Sequence, residues 1–106
     1  MKSPLKKELV DGLITRFGYP KSGANLISSK LVHLQQPIKS AFKDWWLLGE
    51  KPNAEIEGYT FESLMESHGM NPIAAFLTLD WLIREPQRAK ESLNRGHDFI
   101  KTGSAG

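Results

Sequence analysis

Leu5, Leu9, Leu13 and Phe17 recur every four residues, and Val10 and Ile14 widen the stripe they draw. A repeat near 3.6 gathers them on one side of a helix, with Ser3 and Pro4 as N-cap and first helical residue and Gly18 at its end. Tyr19-Pro20-Lys21-Ser22-Gly23 reads as a loop. Beyond it Ala24, Ile27, Leu31 and Leu34 mark a second amphipathic helix over Ala24 to Gln36, which must stop or kink before Pro37. Pro37 opens a third helix, with Ile38, Ala41, Phe42, Trp45 and Leu48 on one face, Lys39, Ser40 and Lys43 opposite, and Gly49 as C-cap.

The helical period lapses over residues 50–59, where Pro52, Asn53 and Gly58 mix with alternating charge. This reads as a surface loop holding a short extended piece, and no strand pair is signalled. Thr60 caps a short fourth helix bearing Phe61, Leu64 and Met65 and closed by Gly69, and Asn71-Pro72 restarts the chain. The next segment, Pro72 to Glu85, is apolar on nearly every side and broken only by Thr78, Asp80, Arg84 and Glu85. A helix apolar all round must be buried all round, so this one is expected at the centre of the bundle or at a dimer interface. Asp80 and Arg84, at i,i+4 spacing, should mark its one wet edge. Pro86 opens a last, weaker helix carrying Ala89, Leu93 and Ile100, with Gly96 as a break or cap. The expected fold class is all-α, a compact bundle of five to six short helices around Pro72 to Glu85. Residues 1–101 are read as one domain and 102–106 as a flexible tail.

Composition narrows the classes. Hydrophobic residues make up 40% and charged residues 25% of the 106, in the globular range. The absence of cysteine excludes a disulfide framework and thiolate metal ligation. The longest apolar run, Ile73 to Leu79 interrupted by Thr78, is far short of the roughly 20 residues that span a bilayer. Lys6, Lys7 and Glu8 interrupt any signal-peptide block, so the expectation is a soluble cytoplasmic protein without a membrane partner.

The net charge of +2 conceals a segregation. Residues 1–43 hold eight Lys and Arg against Glu8 and Asp11, a balance of +6, whereas residues 44–85 set Lys51 and Arg84 against eight acids, a balance of −6. Such asymmetry suits either an anionic partner for the basic half or two halves that attract each other within a fold or across a dimer.

A helix-turn-helix pattern fits Leu13, Phe17, Gly18, Tyr19, Ala24 and Ile27, with Lys21, Ser22, Asn25, Ser28, Ser29 and Lys30 offered to phosphates and bases. Ile14 departs from it, being bulky where the helices of such motifs approach, and the second helix has no arginine for guanine. A second copy uses Leu64, Gly69, Met70, Ala75 and Thr78, but its outer helix is the apolar fifth one, which cannot lie in a groove.

Positive signals for catalysis are lacking. His68 continues an apolar stripe at a helix C-terminus, His33 has no acidic neighbour within a turn, and His97 precedes Asp98 near the tail. Glu62 and Glu66 lie one turn apart, but Glu66-Ser67-His68 lacks the spacing of a di-iron bundle. No phosphate loop or nucleophile elbow occurs. No catalytic residue, cofactor or metal is therefore expected.

The aromatic residues carry more weight. Trp45 and Trp46 point about 100° apart on a helix, and Leu47 lies on the face roughly opposite Trp45, so one core does not easily bury them from the same side. The loop over residues 50–59, a neighbouring helix or a second chain should cover the surplus. Polar-rimmed tryptophans are frequent interface anchors. The leading expectation is a non-enzymatic protein-interaction module that self-associates or captures a protein, through Trp45, Trp46, Leu47, Tyr59 and Trp81. The alternative is a small helix-turn-helix DNA-binding regulator using Lys21, Ser22, Asn25, Ser29 and Lys30.

Overall fold

The computed structural model describes residues 6–103, with side chains through residue 95. Among them are six helices: α1 (Lys6–Phe17), α2 (Lys21–Leu31), α3 (Ile38–Leu48), α4 (Phe61–His68), α5 (Pro72–Arg84) and α6 (Pro86–Gly103). A single hairpin, β1 (Glu55–Ile56) and β2 (Tyr59–Thr60), interrupts them, and the fold class is all-α. The chain divides into two units, Met1–Lys51 with α1 to α3 and Pro52–Gly106 with the hairpin and α4 to α6. The Ser3-Pro4 cap, Leu5 and the side chains of His97 and Ile100 lie outside the described residues.

In the first unit the apolar stripes become a shared core. Leu9 and Leu13 of α1, Ala24 and Leu31 of α2, and Ile38 and Phe42 of α3 are all buried. Each large side chain among them contributes roughly 1.5–3 kcal/mol by leaving water. The helix α2 begins at Lys21, earlier than the composition of Lys21-Ser22-Gly23 suggests. Pro20 is held extended (φ −67°, ψ 156°) and its carbonyl accepts the Ala24 N–H at 2.8 Å, which recruits those three residues into the first turn. The same helix ends at Leu31, well before Pro37. Leu34 donates its N–H to the Leu31 carbonyl at 3.4 Å and folds inward from outside the helix, so burial takes it while helical geometry does not. Gln36 Oε1 then accepts from the backbone N–H of Ser40 at 3.2 Å and satisfies one of the orphan donors at the start of α3.

The second unit is organised by local caps. Thr60 and Ser63 form a reciprocal capping box on α4, each side chain accepting the other's backbone N–H at 3.0 Å. Asn71 Oδ1 accepts the Ala74 N–H at 2.8 Å, and Pro72 occupies the first turn of α5. The expected central helix is central to this unit, for α5 lies against α4, α6 and β1. Ile73, Ala75, Phe76, Leu79 and Leu82 are buried, and of the whole helix only Arg84 is exposed. The Phe76 ring meets that of Phe61 at 4.8 Å between centroids.

Three expectations are corrected in this unit. Asp80 is not at a wet edge but buried at 9% exposure, with Arg84 Nε donating to its Oδ2 at 2.8 Å. The guanidinium, itself 43% exposed, reaches back over the carboxylate and supplies the partner that a buried charge requires. A strand pair does exist. Glu57 and Gly58 both take positive φ (54° and 84°), the geometry of a two-residue hairpin turn, so Ile56 pairs with Tyr59 across only two residues per strand, too few to show alternation. Finally, Gly96 neither breaks nor caps α6, whose backbone continues to Gly103 through Thr102. One helical glycine costs roughly 1 kcal/mol and cannot stop a helix without a competing turn.

The Trp46 indole of α3 lies directly over Gly12 of α1. A Cβ at Gly12 would overlap Cζ2 and Cη2 of Trp46. Changing Gly12 to Ala should gain roughly 1 kcal/mol from helix propensity but lose about 1–3 kcal/mol to overpacking, because the indole is hemmed in by other rings. The expected net result is a lower urea midpoint by tryptophan fluorescence; a raised midpoint would mean that Trp46 yields freely.

Candidate nucleic-acid interface

The corner between α1 and α2 is built by one residue. Gly18 sits at φ +72° and turns the chain in three residues, Gly18-Tyr19-Pro20. Its N–H donates to the Ile14 carbonyl at 3.1 Å and that of Tyr19 to the Leu13 carbonyl at 3.2 Å, which satisfies the end of α1. Leu13 and Ala24, fully buried, pin the two helices together. Ile14, the bulky departure from the helix-turn-helix pattern, is accommodated half-buried.

This corner leaves one side of α2 in solvent. Lys21, Ser22, Asn25, Leu26 and Lys30 are exposed and Ser29 is half-exposed, so the five sequence candidates share the outward side of one helix. Asn25 Nδ2 donates to the Lys21 carbonyl at 3.0 Å, and Ser29 Oγ donates to the Asn25 carbonyl at 3.0 Å. Both bonds are made to the helix's own backbone in contact with water, where exchange for a ligand's acceptors costs little. Ser28, the sixth residue of the motif, is buried and donates to the Asn25 carbonyl, so it faces the core.

The sequence reading missed two residues here. An open cleft of about 370 Å³ is lined by Lys6, Lys7, Val10 and Asp11 of α1 together with Lys21 and Asn25 of α2. Three lysines from two helices thus meet one carboxylate beside the start of α2. The first turn of α2 carries no side-chain cap, and its amides add to the positive potential. The available signal was Lys6-Lys7 at the head of α1, but only the three-residue turn shows which end of α2 they join.

The protein-interface candidates are distributed over both units. Trp45, Trp46 and Leu47 belong to the first, Tyr59 and Trp81 to the second. Trp46 stacks on Phe17 at 6.4 Å and lies under the Arg16 guanidinium at 4.6 Å, while Trp45 meets Phe17 at 5.9 Å and Phe42 at 6.1 Å. The apolar surplus at the tryptophans is therefore partly covered by α1. What stays open is Leu47, 39% exposed, and Leu48, 53% exposed, though the stripe reading put Leu48 on the inner face. Tyr59 lies beside His68 at 5.9 Å, and Trp81 Nε1 donates to Glu85 Oε1 at 3.3 Å. His33 is exposed in the turn after α2, Glu62 and Glu66 are exposed on α4, and among the described residues no three acidic or histidine side chains gather as metal ligands. No helix is long and apolar enough among them to cross a membrane.

No protein-family model matches the chain, and no curated protein or solved structure shows significant similarity to it.

The corner's dependence on left-handed backbone at Gly18 is open to a clean test, because a Cβ there would meet nothing within 4 Å. Gly18→Ala should cost about 1–2 kcal/mol from backbone conformation alone, and Gly18→Asn less, since asparagine tolerates this region. Equal stability of all three proteins in chemical denaturation would disprove that account.

Proposed function

We propose that this protein is a non-enzymatic binder of duplex DNA that docks through the α1-turn-α2 corner. The observation that carries the reading is the convergence of Lys6, Lys7 and Lys21 on one cleft at the start of a helix whose outward side is polar and unobstructed. Lysines in such a cleft hold backbone phosphates as mobile point charges, and the adjoining helix face enters the major groove. The +6 balance of residues 1–43 supports the same choice by steering an anionic polymer to this half of the chain.

Self-association is the second reading, favoured by the exposed pair Leu47 and Leu48 at the end of α3. Adjacent exposed leucines beside half-buried tryptophans are the beginning of an apolar patch. The two readings use different residues and separate cleanly. Leu47→Asp should leave DNA affinity unchanged and, if the patch joins two copies, convert a dimer to a monomer in sedimentation.

For the DNA reading, neutralising three phosphates gives log K a slope of about −2.7 against log salt, or roughly 40-fold weaker binding between about 50 and 200 mM. Lys7→Glu and Lys21→Glu should each weaken binding further, with a shallower slope. Fluorescence anisotropy with a labelled duplex measures both; no binding at low salt would dispose of the proposal.

A further inference from the structure

The outward side of α2 contains one residue that neither folding nor phosphate binding accounts for. Leu26 is 64% exposed, the most open of the large hydrophobic side chains described. It does not belong to the buried stripe, since Ala24, Ser28 and Leu31 face the core. Its neighbours one turn away on the helix surface are Ser22, Gly23, Ser29 and Lys30, with Asn25 beside it. It is thus a single apolar knob set among glycine, serine, asparagine and lysine residues, midway along an 11-residue helix that is about 16 Å long. A patch this small is poor material for a protein interface, which needs a contiguous apolar core.

Resting on the DNA reading above, we infer that Leu26 reads the 5-methyl group of thymine, and that this chain therefore prefers A·T-containing B-form DNA over G·C duplexes and over RNA. In the major groove the thymine methyl is the one apolar feature a base pair presents, and an apolar side chain flanked by hydrogen-bonding groups complements it. Ser22 and Lys30 lie one turn to either side of Leu26, placed for polar edges or phosphates of adjacent steps. Asn25 offers the amide suited to adenine once its exposed bond to the Lys21 carbonyl exchanges. A-form RNA lacks both features: its major groove is too deep and narrow to admit the helix, and uracil carries no methyl.

The test compares three labelled duplexes of equal length, alternating A-T, alternating A-U in a deoxyribose backbone, and alternating G-C, with the full chain at fixed low salt. Burial of one methyl predicts about fourfold tighter binding to A-T than to A-U. In Leu26→Ala that ratio should fall to one, with the circular dichroism spectrum unchanged because the side chain is exposed. Lys21→Glu should weaken A-T and A-U binding by the same factor and preserve their ratio. If the protein binds A-T and A-U equally, the thymine assignment fails while the DNA reading stands. If the ratio survives in Leu26→Ala, another residue reads the methyl and the assignment to Leu26 fails. If no duplex binds, both fall together.

Discussion

Two helix corners in this protein are each turned in three residues by a glycine in left-handed backbone, and the placement of the helices that follow depends on them. Gly18 (φ +72°) turns α1 into α2, and Gly69 (φ +67°) turns α4 into α5. In each, the residue after the glycine donates its N–H to a leucine carbonyl six positions back, Tyr19 to Leu13 at 3.2 Å and Met70 to Leu64 at 3.3 Å. In each, an alanine eleven positions after that leucine, Ala24 or Ala75, is fully buried. The small side chain brings the second helix against the first, and the fixed turn decides which of its residues face inward. The resemblance between the corners ends at their outer faces. In α2 that face is polar and open, whereas α5 is enclosed by its own unit. One local solution thus gives a presenting helix in the first case and a core helix in the second.

Within the first unit the third helix is secured by a different economy of space. Trp46 lies so near α1 that only glycine fits beneath it, and Phe17, Phe42 and Arg16 close in on its ring. The contact gives two neighbouring tryptophans a common cover from one helix, an arrangement that an isolated helical projection of α3 disfavours. It also moves the uncovered apolar surface away from the indoles to Leu47 and Leu48. Arg16, by stacking on Trp46, is engaged away from the lysine cleft, which leaves the cleft to the compact charges of Lys6, Lys7 and Lys21.

The sequence was most legible where a signal is both local and exclusive. Asn71 followed by Pro72, Thr60 ahead of the Phe61, Leu64 and Met65 stripe, and Gly49 after an apolar stripe have few alternatives, and each marks a helix boundary in the structure. Legibility failed where the deciding partner is remote or the local signal ambiguous. Lys21-Ser22-Gly23 has turn composition, yet Pro20 starts a helix there. Glu57 adopts a φ of 54° that its own chemistry disfavours, held by the pairing of Ile56 with Tyr59 and by an ion pair to Lys90 at 2.6 Å. Asp80 looked solvated because acids usually are, and its burial depends on an arginine folding back over it. Of the candidate interface, the α2 residues were readable from spacing. Lys6 and Lys7 were not, since a helical stripe reveals what faces the core and says little about which exposed residues of two helices meet.

The placement of the three tryptophans has an optical consequence. Trp45 and Trp46 lie in the first unit, one of them beneath a guanidinium, and Trp81 lies in the second with its indole N–H on a glutamate. The intrinsic fluorescence of the chain is therefore a sum of two local signals from chemically different surroundings. Single-tryptophan variants resolve them, so the melting of α3 from α1 and the loosening of α5 can be followed separately in one molecule without an added label.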